Sequence, residues 1–119
     1  MEVNEFLQRY ASGERDFPNI DLSRANLGDA ILHQVNLSNA NLSHANLNKA
    51  HLEDANLSNA NLSTTYLTAA HLQRANLQGA NLHKADLGRA NLQGANLNDA
   101  NLEGASFRNA ILPNGEMSD

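Results

Sequence analysis

The chain of 119 residues has no cysteine and no tryptophan. A disulfide framework, a thiolate nucleophile and a thiolate metal site are therefore excluded. Proline occurs only twice, at Pro18 and Pro113. No apolar run approaches the roughly 18 residues needed to span a bilayer. The opening MEVNEFLQRY has no basic segment followed by an apolar one, so no secretory leader is read there and a cytoplasmic protein is expected. A basic excess is also missing. The formal net charge is −5, from 13 acidic and 8 basic residues. The acid surplus sits at the ends, since residues 15–112 hold eight acids against seven bases. A surface built to bind nucleic acid needs a basic stripe, and this sequence has none.

What the chain does have is a repeat of five. From Phe17 an apolar residue recurs at every fifth position to Leu112, twenty positions of which eighteen are Leu. Two residues earlier stands Ala in sixteen of the twenty, the exceptions being Arg15, Ile20, Val35 and Thr65. Between them stands Asn eleven times and Asp at Asp16, Asp21 and Asp86. A period of five suits neither regular element. On an α-helix each step of five turns about 140°, so the leucines make no face. On a continuous strand an odd period alternates faces. Ala and Leu, two apart, share one face of a very short extended segment. One turn per pentad then brings the next pair inward, and the chain closes into stacked coils.

The A-N/D-L-x-x array over residues 15–112 resembles the pentapeptide-repeat family. The stretch LQRYASGERDF resembles the lead-in of its cyanobacterial members. The resemblance implies an all-β solenoid, a right-handed quadrilateral β-helix with four pentads per coil. Twenty pentads then make about five coils stacked at 20-residue intervals, roughly 20–25 Å tall at ~4.8 Å per rung. Leucine fills the interior, Ala lets the walls approach, and the Asn or Asp side chains bond to local backbone at the turns.

The ends require caps. Val3, Phe6, Leu7 and Tyr10 follow an amphipathic helical spacing, and Gly13 follows as a stop. Residues 2–11 are expected as a short N-terminal capping α-helix over the first coil. The chain thus divides into 1–14 (cap and lead-in), 15–112 (β-helix) and 113–119 (tail). No second capping helix is visible, so the C-terminal coil is a candidate self-contact giving a weak homodimer.

Stacking at 20 residues aligns surface rows. One reads Ile31, His51, His71, Asn91, Ile111. Two histidines alone fall short of the three or four ligands of a zinc site, so the row reads as a polar ladder and no metal or cofactor is expected. Another row places Ser63, His83 and Glu103 on successive rungs in triad order. A convex wall offers neither oxyanion hole nor water-excluding pocket, so no catalysis is expected. Asp29 is expected to pair with Lys49, and Asp54 with Arg74, each for little energy. The lapse at Thr64-Thr65-Tyr66-Leu67-Thr68-Ala69 puts a hydroxyl inside, which must find a partner, and an aromatic outside. Tyr66, with His51, His71 and Ile111, makes the candidate contact surface for an unknown protein partner.

Two functions fit. The first is a non-enzymatic interaction scaffold with no nucleic-acid or membrane partner. The second is borrowed from the family, some members of which mimic DNA and bind type II topoisomerases, notably DNA gyrase. Those members are longer, acidic along the rod and dimerise through a C-terminal helix, and this chain departs from them on each point.

Overall fold

The computed structural model describes all 119 residues. The chain opens with α1 (Val3–Ala11) and then winds into a β-helix solenoid of stacked coils. Parallel bridges join each residue before a central apolar position to its equivalent 20 residues on, from Asp16–Asn36 to Asn91–Ile111. Four pentads therefore make one coil, and four walls result. Their central ladders begin at Phe17, Leu22, Leu27 and Leu32, the first to the fourth wall in that order. The molecule measures 38 × 22 × 21 Å, a rod of nearly square section.

Each wall is shorter than an ordinary strand. Extended backbone lasts only from the Ala to the Leu before the chain turns, so the bridges are single and isolated. The expected β-helix thus contains no strand of several residues. Of the chain's 78 backbone hydrogen bonds, those of the β-helix come from rung-to-rung pairs and turns, and the rest belong to α1, its ends and the C-terminal tail. Leu62 donates to the Asn81 carbonyl of the next coil (2.7 Å), and Asn61 donates back to Ala40 of the preceding one (2.9 Å).

The turns explain the two variable positions. The second of them has φ near +60° throughout, at Arg24, Lys49, Arg74 and Arg89 as at Gly79 and Gly94. Positive φ at the third turn residue alone is the mark of a type II turn. The Ala that ends each turn donates to the preceding Leu carbonyl, as Ala25 does to Leu22 (3.1 Å). The Asn before the Leu accepts from the residue after that Leu, the second of the turn. Ser58 N–H reaches Asn56 Oδ1 at 3.0 Å, and the same bond recurs at Asn36, Asn41, Asn61, Asn81 and Asn101. This bond, and not general polarity, is why the repeat keeps Asn or Asp there.

Inside, 31 residues form one buried cluster, chiefly the Leu and Ala ladders. Thr65 is buried among them and donates its hydroxyl to the Leu42 carbonyl at 2.8 Å, the partner its position requires. At the N-terminal end α1 lays Phe6 edge-on to Phe17 (4.7 Å between ring centres), and Tyr10 donates to the His33 carbonyl (2.8 Å). Arg15 departs from the Ala rule because it serves this cap. Its guanidinium lies 3.8 Å from the Tyr10 ring centre and donates to the Tyr10 carbonyl. No helix is long and apolar enough to cross a membrane.

The C-terminal end is half closed. The tail turns at Pro113–Gly115 and pairs antiparallel, Ile111 with Met117, while Ser118 donates to Ala110 (2.7 Å). It therefore covers the edge of the fourth wall only. On the other walls Leu97 and Phe107 are half-buried and Leu102 is 37% exposed. The N–H groups of Leu97, Asp99, Leu102, Gly104, Phe107 and Asn109 have no coil below to accept them.

Candidate functional site

Tyr66 stands on the third wall, where the repeat elsewhere places Asn, and is 54% exposed. Its ring cannot cap the following turn. Asn48, one rung above, supplies the missing acceptor, its Oδ1 taking the Thr68 N–H at 2.8 Å. The wall thus holds an aromatic without losing its turn. One rung below Tyr66 lies a hollow lined by Thr68, Asp86, Gly88, Arg89, Ser106, Arg108 and Asn109, with no hydrophobic residue among them. Gly88 opens it, since a side chain there would meet Asp86 Oδ1 at 3.2 Å. An exposed phenol therefore borders a polar recess with two guanidinium groups at its rim.

The other contact candidates lie on the fourth wall. His51 and His71 occupy consecutive rungs, with rings stacked 4.4 Å apart at 3°. Ile111 stands two rungs further on, beyond Asn91, and is half-buried beside the tail. The four candidates therefore do not form one continuous patch. Tyr66 and the histidines occupy neighbouring walls, while Ile111 belongs to the C-terminal edge. Ile31, 50% exposed one rung before His51, carries the apolar character of this row instead.

Sequence reasoning missed a feature of the fourth wall. Glu53 follows the Leu52 ladder position and reaches back to His51, Oε2 to Nδ1 at 3.4 Å. Ligand atoms of His51, Glu53 and His71 all lie within 4.8 Å of one another. Glu53 stands two positions after His51, outside the row that the 20-residue repeat stacks on the histidines. The signal was a His-x-Glu on one wall above a second His. Near it Asp54 and Arg74 pair as expected, at 2.9 and 3.1 Å, and the guanidinium hydrogen bonds hold the Asp54 carboxyl below its usual range.

One expectation fails locally. Asp29 and Lys49 form no ion pair, although Asp54 and Arg74 at the equivalent turn positions do: a lysine ammonium lacks the fork by which Arg74 holds a carboxylate through two nitrogens. Ser63 does not engage His83. Its hydroxyl donates to Asn61 Oδ1 (2.7 Å), while His83 lies 3.4 Å from Glu103. The triad order along the rungs is therefore not a triad in space.

Eight copies of a family model described as pentapeptide repeats match residues 20–59, 45–83 and 85–119. This chain belongs to the pentapeptide-repeat family. Among solved structures it is 31% identical to the pentapeptide-repeat protein Rfr23 of the cyanobacterium Cyanothece 51142, covering 93% of this chain and 99% of that one at a TM-score of 0.59. Against alr5209, a pentapeptide-repeat protein of Nostoc PCC 7120, identity is 40%, coverage 91% and 77%, and the TM-score 0.53. A pentapeptide-repeat protein of the Arabidopsis thaliana thylakoid lumen gives 25%, 92% and 73%, and 0.69. No curated protein matches the chain in sequence.

Proposed function

We propose that this pentapeptide-repeat protein is a rigid, non-enzymatic scaffold that binds another protein through the third wall, with Tyr66 as anchor. The observation that carries this reading is Tyr66 itself. It is 54% exposed on a wall that compensates for it through Asn48. Tyrosine supplies large contact area at low entropic cost, and such anchors dominate binding energy when a partner covers them. Arg89 and Arg108 at the adjacent recess suit a carboxylate of the partner. Right-handed winding of the coils, which the family resemblance implies, agrees with the general handedness of parallel crossovers. The open C-terminal coil supports a second contact, end-to-end with another copy, through Leu97, Leu102, Phe107 and their free N–H groups.

The gyrase reading is weaker on electrostatic grounds. A duplex mimic needs charge at roughly phosphate spacing. The bridged ladders carry Asp only at Asp16, Asp21 and Asp86, with amides between.

The test compares proteins captured by the wild type and by Y66A, with a gyrase supercoiling titration alongside. A partner lost in Y66A at unchanged thermal stability supports the third-wall reading. An identical captured set sinks it, and supercoiling inhibition at stoichiometric ratios replaces it with the topoisomerase reading. Sedimentation over a wide concentration range tests the self-contact, and a strict monomer throughout removes it.

A further inference from the structure

We propose that His51, Glu53 and His71 form a binding site for a divalent transition-metal ion of the zinc class. It is argued independently of the third-wall reading. On the fourth wall, where the row reads Ile31, His51, His71, Asn91 and Ile111, imidazole occupies two consecutive rungs. The rungs are fixed by backbone bonds, His51 to Ala30 (2.8 Å), His71 to Ala50 (2.9 Å) and Leu52 to His71 (2.7 Å). The two imidazoles are thus held one rung apart before any ion arrives. Glu53 completes a set of three ligand atoms within 4.8 Å of one another.

A second observation points the same way. The other carboxylate oxygen of Glu53, Oε1, is buried with no hydrogen-bond partner, and so is Oε1 of Gln73 one rung below. Acceptors shielded from water without a donor are groups that a cation satisfies. Arg74 does not serve them by hydrogen bonding, since its guanidinium is engaged by Asp54 at 2.9 and 3.1 Å.

The donor set selects the class of ion. Two imidazole nitrogens and one carboxylate oxygen suit Zn²⁺, Cu²⁺ or Ni²⁺, whereas Mg²⁺ and Ca²⁺ prefer oxygen alone. At a metal–ligand distance of about 2.0–2.1 Å, tetrahedral donors stand about 3.3 Å apart. The stacked rings must therefore tilt toward each other about χ2. The His51 side chain is 37% exposed, so solvent and not packing borders that motion. The solvent side leaves the fourth position to water.

The experiment uses tag-free, chelator-stripped protein titrated with ZnCl₂ by calorimetry, with imidazole resonances followed by NMR. The repeat supplies suitable variants, since H51N and H71N restore its usual residue. Expected is one equivalent of Zn²⁺, with His51 and His71 shifting together. H51N, H71N and E53Q each weaken binding about tenfold or more. H33Q, H44Q and H83Q leave it unchanged, and MgCl₂ gives no heat. Melting in chelator confirms that each variant is folded. Absence of saturable Zn²⁺ binding, or loss that follows His83 rather than His51 and His71, overturns the proposal. Unchanged affinity in E53Q overturns the three-ligand site.

Discussion

The second wall offers the same residue in the same ladder under two degrees of cover. Leu62 is fully buried with a coil on either side, while Leu102 is 37% exposed with none below it. Truncating Leu62 to Ala removes buried methyl groups and leaves a cavity that the flanking rungs cannot close, because their backbone ladders hold the spacing. Such changes cost roughly 2–5 kcal/mol. At Leu102 no closed cavity forms, and part of the side chain is already in water. Fully burying a leucine is worth roughly 1.5–3 kcal/mol, so the partial loss at Leu102 is about 1 kcal/mol. The difference of about 2 kcal/mol corresponds to roughly 8 °C in melting temperature for a domain of this size. Urea unfolding at low micromolar protein, followed by circular dichroism and by tyrosine fluorescence, measures it. Coincidence of the two probes checks that the five coils unfold as one unit. Equal losses in L62A and L102A refute the reasoning that the last coil is open, and a loss well under 1 kcal/mol at Leu62 refutes the buried ladder.

Three further outcomes follow from local chemistry. T65V keeps the volume but removes the bond to Leu42, and is expected to cost about 1 kcal/mol in urea unfolding, whereas a neutral result denies the bond. Burial raises the Tyr10 pKa above its usual 10 by disfavouring the phenolate, with Arg15 opposing. Its contribution is complete below the unfolded value and is lost as pH rises through the higher folded one. In Y66F, where Tyr10 is the only tyrosine, phenolate absorbance should therefore appear late and together with loosening of α1. The Ser23 backbone and side-chain bonds lower the Asp21 pKa below its usual 3.8. The stability it confers is present above that value and lost as pH falls through the folded one. D21N keeps the acceptor and should flatten this part of the acid limb, and an identical acid limb in wild type and D21N contradicts it.

Much of the molecule is dictated by sequence period alone. A Leu every fifth residue with Ala two before it forces an inward pair and a turn in each pentad, because no helix or long strand gathers such leucines on one face. The amphipathic spacing of α1 and the Asn bonds at the turns follow from residue type, as does the need of Thr65 for an acceptor. The identity of that acceptor does not follow, because Leu42 lies a coil away and only the stacking register brings it near. Register likewise decides that Asn48 replaces the cap lost at Tyr66, and that Ser63 bonds to Asn61 instead of His83. The tail's return onto Ala110 and Ile111 is tertiary too, since it answers a free edge that exists only once the coils are stacked. So is the gathering of His51, Glu53 and His71. One rung separates the two histidines and one pleat separates Glu53 from His51, and only the folded wall adds those two displacements into a single cluster.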